Sequence, residues 1–249
     1  MRINNNFSSP NYDIRSKKVQ YIVVHFTEMS FDGALDRLTD VAMQVSVHYI
    51  IKENGEIFQL VADENIAWHA GKSSWHGTEA LNQNSIGIEL DSLGNCKFTE
   101  AQMQACLALG NMLMKKYDIL PGNFIGHSDV APKRKIDPGI FFDWEFFAKN
   151  GLGIWHNLQA PDEVKQLFKF GDKGEKIKHL QQGLKRLGYG IEVTGTFDLQ
   201  TNFVIRAFQS KFYPQTIHKK GIEFYNNDES QYSWDLFSEH VLNKLLGQS

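Results

Sequence analysis

Apolar and polar positions change rhythm along the chain. Three early runs dense in β-branched and aromatic residues, 19–25 (VQYIVVH), 47–52 (VHYIIK) and 56–61 (EIFQLV), have the make-up of strands. The last two are separated by Glu53-Asn54-Gly55, and because an Asn-Gly pair reaches positive φ at little cost, the spacing predicts a hairpin. Two more strands are expected at 85–91 (SIGIELD) and 123–126. Between them Met103, Cys106, Leu107, Leu109, Gly110 and Leu113 recur close to a 3.6 period, which predicts a helix over 99–117 with Thr99 as N-cap and Pro121 beyond its end. Strands and helices mixed in this order predict an α/β domain with a mixed central sheet flanked by helices.

Beyond Pro161 the strand-like runs vanish and helical spacing takes over. Ile177, Leu180, Leu184 and Leu187 form one stripe, Val204 and Phe208 a second, and Trp234, Phe237, Val241 and Leu245 a third. Three short helices sharing one core are expected after a linker at 151–161. The division is therefore a domain at 1–157 and a small three-helix domain at 162–249.

A chain of 249 residues has room for both. With a net charge of -3 and scattered Lys and Arg, it lacks the basic footprint that nucleic acid requires. No 18-residue apolar run is present, so no membrane span is expected. Two cysteines, Cys96 and Cys106, cannot build a disulfide framework and read as small buried hydrophobes. A cysteine hydrolase is a poor fit, because Cys106 falls on the apolar stripe of its helix. The first 18 residues are polar, with no apolar leader segment.

Candidate chemistry lies where strands end. His25 closes the first strand, His127 follows the fifth, and Asp137 stands ten residues later, immediately before Pro138. Catalytic zinc commonly takes three protein ligands from His, Asp or Glu, so this trio would suffice. Pro132 and the Asp137-Pro138 step would stiffen the loop that folds Asp137 back beside His127. A strand-end histidine is more often a hydrogen-bonded surface residue, and spacing alone leaves the metal reading open. Glu89 stands out as a carboxylate inside an apolar strand. His48, in mid-strand, reads as a hydrogen-bonded structural histidine.

The segments GHSDVAPKRKIDPG, VVHFTE, SVHYIIKENGEIFQLV, AWHAGKSSW and NSIGIEL, in that family's order between Ser9 and Trp144, resemble the zinc-dependent N-acetylmuramoyl-L-alanine amidase family (Amidase_2), which is related to phage lysozyme-type amidases and peptidoglycan recognition proteins. The resemblance implies one Zn2+ per chain held by His25, His127 and Asp137. It implies Glu89 as general acid/base, Lys135 as the cation that meets the developing oxyanion, and His69 and Ala70, in Trp68-His69-Ala70-Gly71, as substrate-cleft residues. The implied reaction is hydrolysis of the amide between N-acetylmuramic acid and L-alanine in peptidoglycan or muropeptides, 1,6-anhydro forms included. The alternative is a recognition module that binds muropeptides without cutting them, but such relatives typically lose a ligand, and here all three positions are competent.

In the tail, FGDKGEKIKHLQ, followed by Leu187-Gly188-Tyr189, VTGTFD and Phe208-Gln209, resembles the three-helix peptidoglycan-binding domain, with a long insertion at 213–232. A wall-binding tail implies the cell envelope or secretion, whereas the missing leader argues for the cytoplasm; the envelope is the expectation.

Overall fold

A computed structural model describes residues 2–229 and 231–248. It is a mixed α/β structure with a helical C-terminal part, and the chain forms two compact units. The first comprises residues up to Ser73, residues 79–127 and residues 137–154; the second comprises residues 74–78, residues 128–136 and the chain from Trp155 onwards.

The first unit is built on a six-stranded sheet. Its strands are β1 (Ile3–Asn4), β2 (Tyr21–Phe26), β3 (Tyr49–Ile51), β4 (Ile57–Gln59), β5 (Ser85–Leu90) and β6 (Phe124–Gly126), in the order β1-β4-β3-β5-β2-β6. β3, β5, β2 and β6 run parallel, and β4 returns antiparallel to β3. The expected hairpin is present: Gly55 takes φ +83° and Asn54 Oδ1 accepts from the Glu56 N–H at 3.0 Å. β2 is buried on both faces, which explains its unbroken apolar run.

Among the described residues, the two longest helices of this unit pack on the sheet. α1 (Phe31–Thr39), which the spacing did not single out, buries Phe31, Ala34 and Leu38 in a cluster with Ile50, Phe58 and Leu60. α2 (Glu100–Tyr117) begins where expected, with Thr99 and Gln102 forming a reciprocal capping box. It buries Met103, Cys106, Leu109 and Leu113, and Gln102 Nε2 donates to the Asp91 carbonyl at 2.8 Å. Burial pushes the Cys106 thiol pKa up, so it remains a protonated core residue. Cys96 departs from expectation and is exposed, in the turn after Gly94.

The second unit contains α3 (Glu175–Leu187), α4 (Leu199–Phe212) and α5 (Leu236–Leu245). Ile177, Leu180, Leu184, Val204, Phe208 and Val241 are all buried, as their stripes imply. The expectation of a strand-free tail is corrected: Gln166–Lys169 pairs antiparallel with Ser233–Asp235. Trp234 lies on that strand, because Asp235 caps the last helix by accepting from the Ser238 N–H and the helix starts only at Leu236. The insertion forms two short helices, Pro214–His218 and Ile222–Asn226.

Within this unit, segment 128–136 is held by tail side chains. Lys211 Nζ donates to Asp129 Oδ2 at 2.7 Å, and Tyr189 Oη donates to Asp129 Oδ1 at 2.9 Å. Arg206 donates to the Pro132 carbonyl at 3.0 Å and Tyr225 Oη to that of Ile136 at 2.7 Å. Among the described residues, no helix is long and apolar enough to cross a membrane.

Candidate active site

Strand register brings the chemistry together. Paired residues on adjacent strands project from the same face, and His25 of β2 pairs with Glu89 of β5. β6 continues the row: Gly126 pairs with Val24, so His127, the next residue, arrives at the level of His25. All three lie at the carboxyl ends of parallel strands, the usual location of sites in open α/β sheets.

The loop after His127 brings Asp137 back to the same point. His25 Nδ1 lies 2.9 Å from His127 Nδ1, and Asp137 Oδ2 lies 3.0 Å from each. All three side chains are buried, and among the described residues they form the one cluster of His, Cys or acidic groups with metal-ligand geometry. Burial alone would raise the Asp137 pKa, but the charged, donating forms of the His127 and His25 rings would lower it far below the usual carboxylate range; a cation bound among the three would take that role and leave both Nδ1 atoms as lone-pair donors. A glycine is required beside this junction, since a Cβ on Gly126 would come within 2.7 Å of Pro138 Cδ.

The donor set tests what the cluster can hold. Two imidazole nitrogens and a carboxylate oxygen match the ligand types of catalytic zinc, and three protein ligands leave a position for water or substrate. The His127 ring is oriented for this role: its Nε2 lies 3.3 Å from the Ala70 carbonyl, which can only accept, so Nε2 carries the proton and Nδ1 presents its lone pair to the cluster.

Glu89 is half-buried beside His25, as a proton-transfer group at this position would need to be. Lys135 is half-buried in segment 128–136, two residues before Asp137, and its backbone N–H donates to the Ala131 carbonyl at 3.1 Å. His69 and Ala70 both contact the candidate ligands directly: His69 Nδ1 lies 3.0 Å from His25 Nε2, and the Ala70 carbonyl meets His127. Burial, with His25, His48 and His127 nearby, lowers the His69 pKa well below the ordinary imidazole value.

His48 stands immediately before β3 rather than within a strand, but it is the hydrogen-bonded structural histidine that was expected. Its Nδ1 accepts from the Gly87 N–H at 3.0 Å, and its Nε2 lies 3.2 Å from the Asn65 carbonyl and 3.0 Å from Arg15. Burial first, and the Arg15 guanidinium second, lower its pKa to about 3. Sequence reasoning missed three supports of the site: Asn82, Ser85 and Gly87. A glycine inside the apolar run SIGIEL was the one available signal, because strand glycines mark close approach.

Known proteins resemble this chain in sequence and in fold. Residues 15–140 match the family model described as N-acetylmuramoyl-L-alanine amidase, and residues 173–216 match that of a peptidoglycan binding domain. The N-acetylmuramoyl-L-alanine amidase AmiD of Escherichia coli K12 is 37% identical over 217 residues, 79% of this chain and 76% of that protein. The 1,6-anhydro-N-acetylmuramyl-L-alanine amidase AmpD of Citrobacter freundii is 37% identical over 159 residues, 56% of this chain and 85% of its own. The solved structure of E. coli AmiD with the substrate anhydro-N-acetylmuramic acid-L-Ala-D-gamma-Glu-L-Lys matches with a TM-score of 0.74 at 30% identity, covering 93% of this chain and 90% of that one.

Proposed function

Because the chain belongs to the N-acetylmuramoyl-L-alanine amidase family, we propose that it uses zinc, bound by His25, His127 and Asp137, to cut muropeptides with Glu89 and Lys135 as its proton-transfer and oxyanion groups. As an amidase of this family it hydrolyses the amide between the lactyl group of N-acetylmuramic acid and L-alanine. The recognition-module alternative gives way to that assignment. The observation that carries the metal and Glu89 roles is the convergence of His25 Nδ1, His127 Nδ1 and Asp137 Oδ2 beside Glu89.

When bound, zinc would supply Lewis acidity, polarising the scissile carbonyl and lowering the pKa of water towards about 7. Glu89 accepts a proton from the attacking water and delivers it to the leaving nitrogen as the C–N bond breaks, releasing a lactyl carboxylate and the free α-amine of L-alanine. Lys135 would supply the ammonium that meets the negative charge accumulating on the carbonyl oxygen. His25 and His127 keep their Nδ1 lone pairs directed at the cluster, and the Asp137 carboxylate completes the ligand set.

The substrates are peptidoglycan or its muropeptides, with an ordinary or a 1,6-anhydro sugar end, the latter in keeping with the ligand of the related AmiD structure. Residues 1–157 carry the chemistry, and residues 162–249 retain the enzyme on peptidoglycan, which assigns it to the cell envelope. Metal analysis of His127→Ala against the wild type tests the metal assignment. One zinc per wild-type chain, lost together with activity in the variant, is expected; equal zinc content in both proteins would contradict it.

A further inference from the structure

The outer surface of the candidate metal cluster is as ordered as its centre. Ser85 Oγ lies 2.6 Å from the Leu81 carbonyl, which can only accept, so the hydroxyl proton points there. Ser85 therefore offers lone pairs alone to His69 Nε2, 3.1 Å away, and that nitrogen must carry a proton. In the neutral ring His69 Nδ1 is then an acceptor, and the His25 Nε2 facing it at 3.0 Å must donate. His25 Nδ1 is left with a lone pair directed at His127 Nδ1 and Asp137 Oδ2. One chain of hydrogen bonds thus fixes a ligand tautomer from a serine that touches no ligand.

The neighbouring residue does the same for the other histidine, since the Ala70 carbonyl accepts from His127 Nε2. Both partners are set in place together: Asn82 Oδ1 accepts from the backbone N–H groups of His69 at 3.2 Å and Ala70 at 2.7 Å. The His69 ring lies directly over Gly87, where a Cβ would come within 2.6 Å of its Cγ.

We propose that His69 and Ala70 form an outer clamp on the metal site, each accepting the Nε2–H of one metal-binding histidine, with Ser85 acting as the positioning residue that sets the His69 tautomer. The inference rests on the zinc reading above. It assigns His69 and Ala70 a role behind the ligands, where partners of metal-binding histidines commonly change metal affinity 10–100-fold. Replacing Ser85 by alanine leaves His69 free to adopt its other tautomer, which would point an N–H at the N–H of His25.

The test compares wild type, Ser85→Ala, His69→Ala and His69→Asn, the last of which keeps an acceptor near the Nδ1 position. Zinc affinity is measured by competition with a chromophoric chelator, and side-chain 1H–15N spectra of the zinc-loaded proteins follow the Nε2–H protons of His25 and His127. Ser85→Ala and His69→Ala are expected to bind zinc roughly 10–100-fold more weakly, to lose the His25 signal and to keep that of His127; His69→Asn should recover part of the affinity. Metal-free unfolding midpoints close to wild type separate this effect from general destabilisation. Wild-type affinity in Ser85→Ala with both signals intact would overturn the inference while leaving the zinc reading standing. A wild type that binds no zinc would overturn both.

Discussion

His48 gives the sharpest energetic prediction, because a fully buried imidazole held near pKa 3 makes stability depend on pH in a defined direction. The unfolded chain binds a proton at His48 as pH falls below its ordinary value of about 6.5, while the native state refuses it until about pH 3. Native stability is therefore fully present above about 6.5 and is lost as pH falls. At pH 5, about 1.5 pH units below that value, the loss at about 1.36 kcal/mol per pH unit is about 2 kcal/mol. The figure is insensitive to the native value, since pH 5 lies well above it. Urea unfolding at pH 7.5 and pH 5, for wild type and for His48→Asn, isolates the contribution. Asparagine can still accept the Gly87 N–H but does not titrate. The wild type should lose about 2 kcal/mol more than the variant over this interval. A difference under about 0.5 kcal/mol would mean that His48 is hydrated or already protonated in the native state, and the packing argument would fail.

Three further outcomes follow from the geometry. Glu89→Gln should lower kcat about 10²–10⁴-fold while zinc content stays at the wild-type level, as metal analysis and stopped-time product assays would check. Lys211→Met removes the ammonium from a pair whose side chains are 3% and 1% exposed and should destabilise the helical unit by about 3–5 kcal/mol in denaturant titrations, whereas a double replacement with Asp129→Leu should recover much of that loss. Replacing Cys96 and Cys106 by serine should leave zinc content and turnover unchanged per folded molecule, with a stability cost confined to buried Cys106.

What the sequence makes legible is local or chemically distinctive. Asn54-Gly55 dictates its turn by conformational freedom, Thr99 dictates its helix start by capping, and His25 and His127 stand out as ligand types at strand ends, with Asp137 ten residues further on. α1 escaped because Gly33 and charged residues interrupt a stripe of only Phe31, Ala34 and Leu38, and its stability comes from the sheet it covers. Trp234 continued a helical spacing by coincidence, and its strand exists only through pairing with residues some 65 positions earlier. The same distance problem hid the association of residues 74–78 and 128–136 with the helical unit, and the tautomer chain through Ser85. Such roles depend on which residues meet in space, and no local pattern encodes them.

The most direct test of the central claim is mass spectrometry of purified muropeptides, with and without the 1,6-anhydro end, incubated with the protein, with chelator-treated protein, and with chelated protein resupplied with zinc. Free stem peptide released by the untreated protein, absent after chelation and restored by zinc, is the predicted result. Release that persists undiminished once zinc has been removed to below one-hundredth of the protein concentration would contradict the account.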